Sequence, residues 1–275
     1  MRSRPWDDPL DKRWKHQKGK VREVVLERYA PCEPAVMEQI YNFLLLEEKF
    51  PLELVHRVID RMASISAATT VMTYEEIVQF VQDLPDDYII ACGPCACRLH
   101  TAEMLGPDAR DLPGGKLDYC RQTPLNVDIQ VAVSGEKFAK LETYEVISKQ
   151  QLLDLEKQCF EMGLVSNIYQ MLDGESGICH CSSATCVPLM ANKALGGGST
   201  VIRRGRFVPQ LDLERCAGHG ACVTVCHFDA RSIVTRGGRE VSQLNAAQCR
   251  GCGLCAAVCP EDAISMRERG SKSER

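Results

Sequence analysis

The sequence predicts an α+β chain: a mixed α/β, cysteine-rich N-terminal domain, followed by a smaller C-terminal module built from two copies of one unit. Three observations predict it. Between residues 33 and 195, segments of helical apolar spacing alternate with short strand-like runs. Residues 205–266 overlay on themselves with a shift of 33. Of the sixteen cysteines, fourteen fall in three groups, four at 92–120, three at 179–186 and seven at 216–259. The division that follows is an arm at 1–32, the cysteine-rich domain at 33–200, the repeated module at 201–268 and a tail at 269–275. With 45% hydrophobic and 25% charged residues, a chain of 275 residues is expected to bury a core.

The first twenty residues carry seven Lys/Arg, three Asp and both tryptophans, Trp6 and Trp14. They read either as a solvated tail or as an arm that docks on a partner through its indoles. Residues 33–83 read as helical: "EPAVMEQIYNFLLLEE" and "LELVHRVIDRMA" have apolar residues three and four apart, and "TYEEIVQFVQDL" opens on a capping box, Thr73 with Glu76. Next, "DYIIACGP" reads as a buried strand running into a cysteine loop, and "NVDIQVAV" alternates as a strand does. "SKQQLLDLEKQCFEMG" is a helix with a second capping box, Ser148 with Gln151, and a glycine stop at Gly163. Cys159 falls on its apolar stripe and reads as core; Cys32, before a helix, is read the same way. "GLVSNIYQML" is a strand, "VPLMANKAL" a short helix, and "GGGST" at 196–200 a connector, because no preceding strand and no GK[ST] make it a phosphate loop.

Within the repeat, "QLDLERCAGHGACVTVCHFDA" overlays "QLNAAQCRGCGLCAAVCPEDA". Cys216 meets Cys249, Cys222 meets Cys255, Cys226 meets Cys259, and His219 meets Cys252. The second copy carries C-x2-C-x2-C-x3-C-P at 249–260. Three closely spaced thiolates in one glycine-containing loop can surround a compact inorganic core, while backbone N–H groups turn toward its sulfides. Structural zinc sites more often use two separated pairs. On these residues the module resembles a bacterial two-[4Fe–4S] ferredoxin domain, which implies a βαββαβ-type pseudo-twofold fold.

The resemblance also implies that the fourth cysteine of each run crosses to the other cluster. One ligand set is then Cys249, Cys252, Cys255 and Cys226, and the other Cys216, His219, Cys222 and Cys259. His219 leaves three readings: a His-ligated [4Fe–4S] cluster, a [3Fe–4S] cluster, or an empty site. The first is favoured, because imidazole can replace thiolate and raises the potential by removing negative charge. His227 stands where the family has proline, which is expected to loosen only the exit turn.

Seven cysteines remain upstream: Cys92, Cys95, Cys97, Cys120, Cys179, Cys181 and Cys186. Thiols drawn from distant loops are what a buried metal site looks like in sequence. Iron–sulfur is favoured and zinc is the alternative. Arg98 could donate to an anionic cluster or sit in an ion pair, and His100 and His180 are candidate ligands or ordinary hydrogen-bonded histidines. "CAC-R" at 95–98, "GLVSNIY" at 163–169 and "ICHC" at 178–181 resemble a broader family of multi-cluster iron–sulfur proteins. That resemblance implies electron transfer and at least one further cluster within residues 90–190.

No nucleophile–base pair, dinucleotide fingerprint or P-loop stands out, and no catalytic residue is assigned. A net charge of −4 speaks against nucleic acid, and the acidic helix at 73–84 makes a poor groove reader. No apolar run reaches the about 20 residues that span a bilayer, and no leader is visible, so membrane insertion is not expected and a cytoplasmic location is. The expected role is a non-catalytic electron-transfer subunit whose partner is a flavoprotein or dehydrogenase subunit. A catalytic upstream cluster and a redox-sensing regulator are the alternatives.

Overall fold

The computed structural model describes residues 66–95, 97–98, 126–171, 176–186, 188–189, 192 and 202–270. The expectations for the arm with Trp6 and Trp14, Cys32, the helices before residue 66, His100, Cys120 and the 196–200 connector fall outside these residues.

The larger part is a six-stranded sheet in the order β1-β5-β6-β3-β2-β4, with every pairing antiparallel. Its strands are β1 (Ser66–Val71), β2 (Ile90–Pro94), β3 (Asn126–Val131), β4 (Glu145–Val146), β5 (Val165–Met171) and β6 (Ser176–Cys181). Helix α1 (Tyr74–Asp83) follows β1, α2 (Val133–Phe138) follows β3, and α3 (Lys149–Glu161) precedes β5. Both sequence capping boxes form, at Thr73 with Glu76 and at Ser148 with Gln151. Strand β1 lies inside a stretch expected to be helical; its β-branched end, Thr69-Thr70-Val71, suits a pleated edge better than a helix.

Strand alternation sorts side chains to two faces. Ile90, Cys92, Ile129, Val131 and Ile178 point to one side and form a core with Ile77, Val81 and Leu152 of α1 and α3. Asp128, Gln130, Cys179 and Cys181 occupy alternate positions and so face the other side. A polar clasp closes that side: Tyr144 donates its hydroxyl to Asp128 at 2.6 Å and Gln130 donates its amide to the same carboxylate at 2.7 Å.

The C-terminal part runs strand, helix, strand, strand, helix, strand: β7 (Phe207–Leu211), α4 (Ala221–Thr224), β8 (Arg231–Arg236), β9 (Arg239–Leu244), α5 (Leu254–Ala257) and β10 (Ile264–Glu268). Strands β7 and β10 pair antiparallel, as do β8 and β9. The repeat recurs as geometry. Gly218 (φ +73°) and Gly251 (φ +83°) are equivalent, and a Cβ on either would meet a strand carbonyl, Glu240 O at 2.7 Å and Phe207 O at 2.1 Å.

The module and the sheet share one core. Val71, Val165, Cys181, Cys186 and Leu189 pack with Phe228, Ala230, Cys249 and Leu254. Backbone bonds fasten the seam: Val71 N–H to Arg203 O, Arg203 N–H to Thr69 O, and Gly205 N–H to Arg250 O at 2.8 Å. Among the described residues no helix is long and apolar enough to cross a membrane.

Gly251→Ala is expected to cost more than Gly220→Ala. Both glycines have positive φ, which alone costs about 1 kcal/mol for alanine, but only Gly251 has backbone in the way; nothing lies within 4 Å of a Cβ at Gly220. Equal losses in denaturant unfolding would contradict this geometry.

Candidate iron–sulfur sites

Two cavities of about equal size open within the C-terminal module. The first, about 330 Å³, is lined by Cys216, His219, Cys222 and Cys259. The second, about 340 Å³, is lined by Cys226, Cys249, Cys252 and Cys255. The structure therefore groups the eight residues in the two sets that the sequence proposes, with Cys226 and Cys259 each lining the cavity of the other copy's loop. The crossing has a local cause. Each of these cysteines follows a one-turn helix that opens on a left-handed glycine, Gly220 or Gly253, and so projects away from its own loop.

Backbone donors already face the sulfurs. Ala230 N–H donates to Cys226 Sγ at 3.3 Å, and Ala263 N–H donates to Cys259 Sγ at 3.3 Å, at positions 33 apart. Ser242 N–H donates to Cys216 Sγ at 3.4 Å. Such N–H···S contacts favour an anionic sulfur, so the donor set fits an iron–sulfur cluster on its own geometry. Among the described residues no group of three His, Cys, Asp or Glu side chains closes on a single-ion site. Burial pushes the Cys249 and Cys252 thiols up, and pushes Cys255 up to about 11 although Arg231 pulls the other way. Each is thus a group whose proton is displaced when metal binds. His219 stands at the outer rim, 44% exposed, with Nε2 3.7 Å from Glu261 Oε1.

Upstream, one end of the sheet gathers thiols. Strand β2 ends at Pro94 opposite Asn126, and β6 ends at Cys181 opposite Val165, so the loops that follow both strands leave from the same end. Cys95 contacts Cys97, Cys97 contacts Cys186, Cys186 contacts Cys181, and Cys181 contacts Cys179, each through sulfur hydrogen bonds. The Cys97 thiol, then burial, push Cys95 up. In Cys181 and Cys186 the neighbouring thiols act in both directions, Cys179 lowering the first and Cys181 the second, and burial tips both upward. Four thiolates here would meet as like charges, a penalty that only bound cations remove.

Cys92 is not brought to this group. It points to the helical side of the sheet, with Sγ 3.6 Å from Asn126 O, and burial raises its thiol to about 11. Cys179 is the fifth thiol of the group and also lies 3.7 Å from Asp128 Oδ1. Cys159 is fully buried beside Val127 and Leu164, as its place on the helical stripe predicts.

Three buried residues hold the end of β6. His180 turns its ring away from the thiols: Nδ1 lies 2.8 Å from Val127 O, and Nε2 makes a 2.8 Å ionic contact with Glu156 of α3. Burial, the largest single influence, pulls the His180 pKa down, but the charge and hydrogen bond of Glu156 and the Val127 carbonyl together outweigh it and the net shift is upward. Arg98, 1% exposed, donates to the His180 carbonyl at 2.8 Å. The ordinary reading of His180 thus fits the structure better than the ligand reading. Glu156 gave no signal in the sequence beyond being an acid on the buried stripe of a helix.

His227 does more than loosen a turn. Its Nε2 lies 2.8 Å from Gly163 O, and its Nδ1 accepts from the Ser183 N–H at 3.2 Å. One imidazole therefore ties the residue after Cys226 to the loop between Cys181 and Cys186. Proline could make neither bond. His227→Pro is expected to cost about 1–2 kcal/mol and to raise hydrogen exchange at the Ser183 amide while both module clusters stay loaded. Unchanged exchange at Ser183 would contradict the latch.

A search of curated proteins returns no match to this chain. Residues 210–266 match the family model of the 4Fe–4S dicluster domain. That match and the two cavities agree: residues 210–266 are similar to a 4Fe–4S dicluster domain, which points to iron–sulfur electron transfer.

Proposed function

We propose that this chain is an electron-transfer subunit with three iron–sulfur sites in a row. Cys95, Cys97, Cys181 and Cys186 hold the first, Cys226, Cys249, Cys252 and Cys255 the second, and Cys216, His219, Cys222 and Cys259 the third. One observation carries the order: Cys181 and Cys186 pack in the same core as Cys249, with Cys179, Cys226 and Cys252 against it, whereas the His219 cavity touches none of the described upstream cysteines.

An iron–sulfur cluster supplies one-electron transfer at a potential set by its charge, its hydrogen bonds and its exposure. The chain's residues set all three. The inner sites are buried between the sheet and the module, and the third reaches the surface at His219 and Glu261. A neutral imidazole in place of a thiolate makes the outer site the easier one to reduce. A [4Fe–4S] cluster suits it better than [3Fe–4S], because His219 lines the same cavity wall as the three cysteines.

The outer rim is where a protein partner exchanges electrons, and a flavoprotein or dehydrogenase subunit fits that need. None of the fourteen described cysteines is in a disulfide, which suits a reducing compartment such as the cytoplasm.

Anaerobically prepared protein is expected to hold about twelve irons, the content of three cubane clusters. Cys181→Ser with Cys186→Ser is expected to remove about four of them, while Cys92→Ser removes none. Eight irons in the unsubstituted chain, or stoichiometric zinc, would sink the upstream assignment. His219→Cys should retain the outer cluster and lower its potential; a [3Fe–4S] EPR signal in oxidised wild-type protein would overturn the histidine ligand.

A further inference from the structure

Arg231, the first residue of β8, is 5% exposed and lines the cavity of Cys226, Cys249, Cys252 and Cys255. Its Nη2 lies 3.6 Å from Cys255 Sγ, and its Nη1 donates to Ser242 Oγ at 3.3 Å. Its Nε has no hydrogen-bond partner, and no carboxylate among the described residues pairs with it. Ser242, 3% exposed, faces the other cavity: Oγ lies 3.2 Å from Cys222 Sγ, and its N–H donates to Cys216 Sγ at 3.4 Å. Cys255, Arg231, Ser242 and Cys222 thus form one line of polar contacts between the two cavities.

A buried guanidinium without a carboxylate is expensive unless an anion answers it. The repeat shows that packing does not call for the pair. A shift of 33 carries Arg231 onto Ile264, and the same shift carries Pro209 onto Ser242. Ile264 and Pro209 occupy the matching walls of the opposite cavities. The places hold apolar residues on β7 and β10, and a cation and a hydroxyl on β8 and β9.

We propose that Arg231 and Ser242 form an electrostatic bridge between the two cluster sites that raises the potentials of both and narrows the gap between them. The proposal rests on the reading that clusters occupy both cavities. Reduction adds one negative charge to a cluster, so a fixed positive charge beside it favours the reduced form and raises the potential. The four-thiolate site, with no imidazole, carries more negative charge than the His219 site, and it is the one the guanidinium touches directly. With Cys222 ionised, the Ser242 hydroxyl donates to its sulfur while the same oxygen accepts from Arg231, which passes a weaker share of the effect to the outer site.

EPR-monitored redox titration of the anaerobic full-length chain tests this with Arg231→Gln, Arg231→Lys and Ser242→Ala. Arg231→Gln is expected to lower both midpoint potentials, the four-thiolate cluster more. Arg231→Lys should lie nearer wild type, and Ser242→Ala should lower chiefly the His219-side cluster. Wild-type midpoints in Arg231→Gln and Ser242→Ala, with both signals present, would overturn the proposal. Should Arg231→Gln fail to load a cluster, loading of both by Arg231→Lys would support a counterion role, and failure of Arg231→Lys as well would show a packing role and overturn it. Iron content and both signals in the unsubstituted chain test the underlying reading separately.

Discussion

The buried core that Cys181 and Cys186 share with Cys249 and Leu254 is the packing on which the rest of the structure depends. It makes the sheet and the dicluster domain one body at the place where their sulfurs lie. The backbone is drawn in on both sides of this seam. Thr69 and Val71 bond Arg203, which leads into the module, and Gly205 bonds Arg250. Burying so many sulfurs together keeps water away from them, and a lower local dielectric strengthens every hydrogen bond and charge that acts on them. His227 closes the seam from the module side, through Gly163 and Ser183.

Inside the module, twofold repetition supplies the geometry and the departures from it supply the chemistry. The shared features are the left-handed glycines, the one-turn helices and the N–H donors to Cys226 and Cys259. These make two equivalent cavities. The departures are His219 for Cys252, Arg231 for Ile264, Ser242 for Pro209 and His227 for Pro260. Each changes the charge or the hydrogen bonding at a cavity, or the attachment of one copy to the sheet, so two sites of one shape need not have one potential.

The sequence made some of this legible and hid the rest for physical reasons. The quartets of the module could be paired from the sequence, because three ligands at short spacing share one loop, the resemblance to two-cluster ferredoxins implies that the fourth crosses over, and the repeat assigns His219 its place. The helix starts at Thr73 and Ser148 were readable because a capping box is a local interaction. Strand β6 is not legible in the sequence: "SGICHC" lacks the β-branched alternation that marks a strand, and its neighbours in the sheet stabilise it. Which upstream cysteines meet was likewise hidden. Cys92 and Cys95 are three residues apart, yet the pleat sends Cys92 to the helices while the end of β2 releases Cys95 toward Cys97 and Cys181. The buried partners Glu156, Asp128 and Arg231 look like ordinary charged residues until the fold shows what faces them.

The central claim is that three clusters lie in a row across the seam. Anomalous diffraction at the iron edge from anaerobically grown crystals tests it most directly. The account predicts three iron peaks, with the one among Cys226, Cys249, Cys252 and Cys255 in the middle. Two iron peaks confined to the C-terminal module, or a zinc-edge peak among Cys95, Cys97, Cys181 and Cys186, would contradict it.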